Sequence, residues 1–146
     1  VHNPSPDDGQ VSSQRLGLAA LSTKIDTVMV VLADQPLLGS GDLTQLIGAW
    51  KKRPEGREVL YPQVGGERGN PVVFSASVRD AILQGGATVG CRQWQAAHPD
   101  EVHVFETDNR RFGWDVDSEA DIARLREATG HELRWPAAWA RGTSPA

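Results

Sequence analysis

The chain is poor in the residue types on which several specialised protein classes depend. Its 146 residues include a single cysteine, Cys91, which excludes an internal disulfide and any cysteine-rich zinc module and fits a cytosolic setting best. Long apolar runs are missing as well: the longest, Val28 to Ala33, falls far short of the roughly 20 residues needed to cross a bilayer. No basic and apolar signal segment opens the chain. A soluble, cytoplasmic protein with no membrane partner is expected. Positive charge is scarce too, with 15 Lys and Arg against 19 Asp and Glu and a net charge of −4, so no sequence-wide basic field exists to hold nucleic acid. Phosphates must then be met locally or through a metal. The histidines, His2, His98, His103 and His131, lack the spacing of a metal pair on one helix face. Cys91 has no evident base partner and there is no strand-turn-helix serine elbow, which disfavours a hydrolase working through a nucleophile.

What is present reads as one globular domain, 39% hydrophobic, with 15 Gly and 9 Pro marking tight turns. His2 to Gly9 is dense in turn formers and reads as a loop, after which Ser12 and Ser13 are placed to cap a helix carrying Leu16 and Leu18. Ile25 to Leu32 is β-branched and apolar without alternation, the pattern of a strand covered on both faces of a parallel sheet, and it stops at Pro36. Leu43, Leu46, Ile47 and Trp50 follow the i, i+3, i+4, i+7 spacing of an amphipathic helix. Strands are expected at Val59 to Pro62, Pro71 to Phe74 and Val102 to Phe105. Short helices are expected from Ser75 or Ser77 through Leu83 and over Gly90 to Ala97. Ser118 with Asp121 forms a capping box ahead of Ile122 and Leu125. This alternation predicts an α/β domain over 1–130 with a mainly parallel sheet, followed by a C-terminal arm over 131–146 containing Trp135 and Trp139. In such folds ligands gather beyond the carboxyl ends of the strands.

Three local features bear on chemistry. Asp34, in Leu32-Ala33-Asp34-Gln35-Pro36, sits at the carboxyl end of the best strand, where a carboxylate can hold a hard cation such as Mg²⁺ or, equally, close a turn. Asp115 and Asp117 lie on one side of an extended segment, as two ligands of one ion require, although a carboxylate ahead of a helix is also favoured by the helix dipole. Gly65 to Pro71 is a glycine-rich turn in which Arg68 offers a planar fork of donors to a phosphate or carboxylate; a plain hairpin is the simpler alternative. It lacks the lysine and hydroxyl of a P-loop.

The order Asn3-Pro4, Gly9-Gln10-Val11-Ser12-Ser13 with Arg15, Leu32-Ala33-Asp34-Gln35-Pro36, Arg68-Gly69-Asn70-Pro71-Val72 and Asp115-Val116-Asp117-Ser118-Glu119-Ala120-Asp121 resembles the MobA-like nucleotidyltransferase family, and within it the molybdenum cofactor cytidylyltransferases. The resemblance reaches to about Leu125. It implies a Rossmann-like three-layer sandwich, like that of nucleotide-diphospho-sugar transferases, and transfer of CMP or GMP from CTP or GTP to the phosphate of molybdopterin with release of pyrophosphate. It also implies Mg²⁺ as cofactor and a molybdenum hydroxylase as recipient of the product. Carried over by position, Asp34 and Asp117 are catalytic, with Asp34 the principal metal ligand and Asp115 or Asp117 the second. Ser13 lies near the nucleotide, and Arg68, Gly69, Asn70 and Pro71 border the acceptor. Three departures accompany the likeness. The family's opening strand and L-A-A-G-x-S-x-R-M-G loop have no counterpart, Gln14 replaces an apolar residue, and Asn70 stands where many relatives have His. The chain thus reads as lacking the first strands, with little transferase activity by itself. A non-catalytic module that binds the cofactor and hands it to a hydroxylase is the alternative.

Overall fold

Positive φ is open to glycine because it has no Cβ, and Gly9 uses that freedom to start the fold. In the computed structural model, which describes residues 1–133, Pro6–Asp8 form one 3-10 turn and Gly9, at φ 85°, caps helix α1 (Gln10–Ala19). The helix therefore begins ahead of the serines expected to cap it. Ser12 lies inside its first turn, where Oγ donates to the Gly9 carbonyl at 2.7 Å.

Strand β1 (Thr27–Val30) is shorter than the apolar run containing it, and helix α2 (Ser40–Lys51) buries Leu46 and Trp50 of the stripe expected for it while Ile47 stays exposed. Strands β2 (Val59–Val64) and β3 (Glu67–Arg68) form a hairpin whose two turn residues, Gly65 and Gly66, both take positive φ, as a tight turn matched to strand twist requires. The plain hairpin reading of this turn is thus the correct one for its tip. Strand β4 (Val72–Ser75) runs directly into α3 (Ala76–Gln84), where Ser75 Oγ accepts from the Val78 N–H at 3.3 Å. Helix α4 (Cys91–Ala97) and strand β5 (Val102–Glu106) follow.

The sheet order is β1-β4-β2-β3, with β5 on β2. Only β2 and β5 pair in parallel; β4 pairs antiparallel with both β1 and β2, so that β1, β2 and β5 share one direction while β4 inserts against it. The mainly parallel expectation therefore holds for strand direction and is corrected for pairing. The reason is local: β4 reaches the sheet through a short connection from the β2–β3 hairpin, and only longer, crossover connections return a strand in parallel. Among the described residues β1 pairs with β4 alone, yet both its faces are covered as expected, Val28 and Val30 packing into the core on one side and Met29 on the other.

Alternation along the strands divides the core between the two sheet faces. Val28, Val59, Val72 and Phe74 pack with Leu18, Val78, Ile82 and Trp94 from α1, α3 and α4. Leu60 and Val73 face the other way, onto Leu46 and Trp50 of α2 and onto Phe112. Helices thus cover both faces, giving the three layers of the expected Rossmann-like α/β sandwich.

The packing divides the chain into two compact units, the first spanning Val1–Trp114 and the second beginning at Asp115. The second holds α5 (Glu119–Thr129), opened by the Ser118–Asp121 capping box and closed by Gly130 in the left-handed conformation. Most of the expected arm, 134–146 with Trp135 and Trp139, lies outside the described residues. Among the described residues no helix is long and apolar enough to cross a membrane.

Candidate active site

A chain that leaves β1 and meets Pro36 must turn, and the turn brings Asp34 under cover. Asp34 is half-buried, and its Oδ1 is fully buried with no hydrogen-bond partner among the described residues. A buried carboxylate oxygen without a donor is costly, so such an atom marks a place where a cation or a ligand proton would be accepted. The neighbouring Gln35 is buried and donates through Nε2 to the Phe112 carbonyl at 3.1 Å. That carbonyl also accepts from the Asn70 N–H at 2.8 Å, while the Gly69 N–H donates to the Pro62 carbonyl at 2.8 Å. One backbone oxygen thus ties the Asp34 turn to the Gly69-Asn70 segment. The strap carrying Phe112 is anchored at Asp42, whose Oδ1 accepts from Asn109 Nδ2 at 2.7 Å. Burial alone would raise the Asp42 pKa, but the Gly39 N–H, the Asn109 amide and Arg111 outweigh it and hold the carboxyl below its usual range.

Beyond the end of β1 lies a cleft of about 200 Å³, bordered by Gln10 and Gln14 of α1, Leu32, Asn70, and Arg68 and Arg92. Of the residues predicted from sequence, Arg68 and Asn70 therefore share one cleft. Gly69 and Pro71 are buried beside them, joined to the core by a cis Asn70–Pro71 peptide. Gly69 is needed for space taken by the protein itself and not for a ligand, since a Cβ there would stand 2.6 Å from the Phe112 carbonyl oxygen. Ser13 is exposed and accepts from Asn3 Nδ2 at 2.9 Å, an interaction that ties down the N-terminal segment. The Arg68 guanidinium lies 4.1 Å over the Tyr61 ring and donates to Gln95 Oε1. Desolvation lowers its pKa below the ordinary arginine value, with the like charge of Arg92 adding to the shift.

Several contributors went unassigned in the sequence. Arg15 donates to the carbonyls of Ile82, Leu83 and Val89, meeting acceptors that the C-terminal end of α3 leaves open and fixing the loop that leads into α4. Gln35 and Phe112 act through contacts across 77 residues of chain, for which no local spacing signal exists.

Cys91 lies at the start of α4 and borders the cleft. Burial pushes its thiol up to about 11 from 9.0. The thiolate population near pH 8 should therefore be about 100-fold below that of a thiol titrating at 9. Iodoacetamide labelling of the native chain should be about 100-fold slower than of the urea-unfolded chain, rising steeply only toward pH 11. Labelling at equal rates in both states would show the thiol to be unprotected.

Asp115 and Asp117 belong to the second unit. Asp117 is exposed, and its N–H donates to Asp121 Oδ2 at 3.3 Å, so it serves the capping of α5. Among the described residues no group of three or more His, Cys, Asp or Glu is gathered for a metal. In the first unit, among the described residues, Asp34 offers a buried carboxylate oxygen that no hydrogen bond occupies. That suits a cation such as Mg²⁺, which keeps much of its water and takes one or two carboxylates together with substrate phosphates.

A family model for the MobA-like NTP transferase domain matches residues 1–102. Among solved structures, the chain is similar to Rv0371C of Mycobacterium tuberculosis H37Rv, crystallised in complex with manganese. The TM-score is 0.59 and the identity 24%, over 79% of this chain and 59% of that one. The likeness is one of fold, and the chain spans less than two thirds of that protein's length. No curated protein sequence matches the chain significantly.

Proposed function

The chain belongs to the MobA-like NTP transferase family, whose chemistry is nucleotidyl transfer, and from that premise we propose that it transfers CMP or GMP from CTP or GTP to the phosphate of molybdopterin in the presence of Mg²⁺, releasing pyrophosphate. The observation that carries the reading is the buried, unpartnered Oδ1 of Asp34 at the end of β1. Manganese in the complex of the fold neighbour supports a divalent cation of this class. Asp34 would hold the cation and so act in catalysis. The cation supplies charge neutralisation for the phosphates.

The remaining work falls to the protein. Nucleotidyl transfer needs reactants held in line more than it needs a covalent partner, so rigid positioning is the main requirement. The Phe112 carbonyl provides it by holding Gln35, and thus the Asp34 turn, in register with Asn70. In this reading Arg68, Gly69, Asn70 and Pro71 border the acceptor, with Arg68 oriented by Tyr61 and Gln95, and Ser13 lies on the nucleotide side. A molybdenum hydroxylase would receive the product.

The test is pyrophosphate release from CTP or GTP with molybdopterin and Mg²⁺, run on the whole gene product. Release that depends on all three components is expected. Molybdopterin binding with neither pyrophosphate release nor metal-dependent nucleotide binding would overturn the transferase reading in favour of a module that carries the cofactor.

A further inference from the structure

Two arginines border two clefts in common, and among the described residues no acidic side chain lines either cleft. Arg68 on β3 and Arg92 near the start of α4 both border the cleft of about 200 Å³ already described and a second of about 320 Å³, whose walls include Tyr61 of β2, Gln95 and Ala96 of α4, and Val104 of β5. The two guanidiniums differ in how they are held. Arg68 is fixed in orientation by the Tyr61 ring beneath it and by the carbonyl oxygen of Gln95, itself a buried side chain. Arg92 is exposed, and among the described residues its side chain makes no hydrogen bond or ion pair. It nevertheless lines the same two clefts as Arg68. Like charges gathered without a counter-ion raise the energy of the free protein, and an anion seated between them would lower it. In a chain of net charge −4 this is a local excess of positive charge with a cavity on each side.

We infer that Arg68 and Arg92 form a metal-independent seat for a dianionic phosphate group, such as that of a phosphomonoester, whose organic part occupies the cleft between β2, α4 and β5. Two planar forks of donors match the several oxygens and double charge of phosphate better than a single carboxylate. The cleft beyond is walled by Ala96, Val102 and Val104, so the organic part it accepts is small and apolar on one side. The inference shares Arg68 with the acceptor side of the proposed reaction and deepens that reading there, but it needs neither Asp34 nor a cation and brings in Arg92, which has no part in it.

Inorganic phosphate, phenyl phosphate and acetate, each titrated at constant ionic strength into the chain in excess EDTA, would decide it, with arginine Nε–H and backbone amide NMR signals as readout. Phosphate should saturate with shifts at Arg68, Arg92 and Gln95. Phenyl phosphate should bind more tightly and add shifts at Val102 and Val104, and acetate should bind at least tenfold more weakly. Arg92→Gln, at an exposed position that leaves the amide spectrum otherwise intact, should weaken phosphate by roughly tenfold or more, as loss of a charge-assisted hydrogen bond predicts. Absence of saturable shifts at the two arginines, or phosphate affinity unchanged by Arg92→Gln, overturns the site. Equal binding of acetate overturns its assignment to a dianion, and equal binding of the two phosphates overturns the role of the cleft. Because EDTA excludes divalent cations throughout, a failure here leaves the transferase reading standing, and failure of that reading leaves this one untouched.

Discussion

Asp34→Asn is expected to reduce metal-dependent nucleotidyl transfer by roughly 10²–10³-fold or more, the loss that accompanies removal of a central electrostatic stabiliser. The substitution keeps the size of the side chain and removes its charge, so the turn after β1 should survive. Stability moves the other way: Oδ1 of Asp34 is buried without a partner, and a neutral amide there relieves an uncompensated anion. Without metal the variant should therefore melt no lower than the parent. Divalent cation should reverse the order. At 100 times its dissociation constant a cation that binds only the folded state adds about 2.7 kcal/mol, which for a chain of this size raises Tm by roughly 5–10 °C. The parent should show that rise with Mg²⁺ or Mn²⁺ and Asp34→Asn should not. Equal shifts in the two proteins would remove Asp34 from the metal site, whatever the activity assay reports.

That Asp34 was open to inspection in the sequence, while its surroundings were not, follows from the range over which each signal acts. The β-branched run before Asp34 and the proline after it announce a strand end within a few residues. The cap at Ser75 and the capping box of α5 are equally local and lie where expected, as do Leu46 and Trp50 of the α2 stripe, although Ile47 of that stripe faces solvent. Ser12 and Ser13 misled because serine near a helix start resembles a cap, whereas the chain reversal is made by Gly9. β1 is shorter than its apolar run because such a run reports burial and not pairing, and pairing ends where β4 ends. The links that build the site, Gln35 and Asn70 onto Phe112 and Asp42 onto Asn109, join segments separated by dozens of residues. No periodicity records them, and the 3-10 turn at Arg110–Gly113 that presents the shared carbonyl is marked only by the local cap of Asn109, which says nothing of the distant partners.

Gly69→Ala tests that shared carbonyl directly. The φ of Gly69 is not in the left-handed region, so the obstacle to a side chain is space alone: a Cβ would lie 2.6 Å from the Phe112 oxygen and 3.2 Å from the Phe112 Cβ. Neither side can yield easily. Gly69 is held by its hydrogen bond to Pro62, and the Phe112 side chain is fully buried against Leu46, Trp50, Leu60 and Val73. Retreat of the carbonyl would stretch its bonds from Asn70 and Gln35 together. Overpacking costs about 1–3 kcal/mol and each weakened hydrogen bond about 1 kcal/mol, so a loss of roughly 3 kcal/mol is expected, or about 6–12 °C in Tm. The same substitution at Gly17, in α1, meets no atom within 4 Å and removes only the entropic disadvantage of glycine in a helix. It should stabilise by about 0.5–1 kcal/mol. Thermal melts of the two variants thus have opposite signs for one chemical change. If Gly69→Ala melts with the parent, the Phe112 strap yields freely and cannot be what holds the Asp34 turn against Asn70.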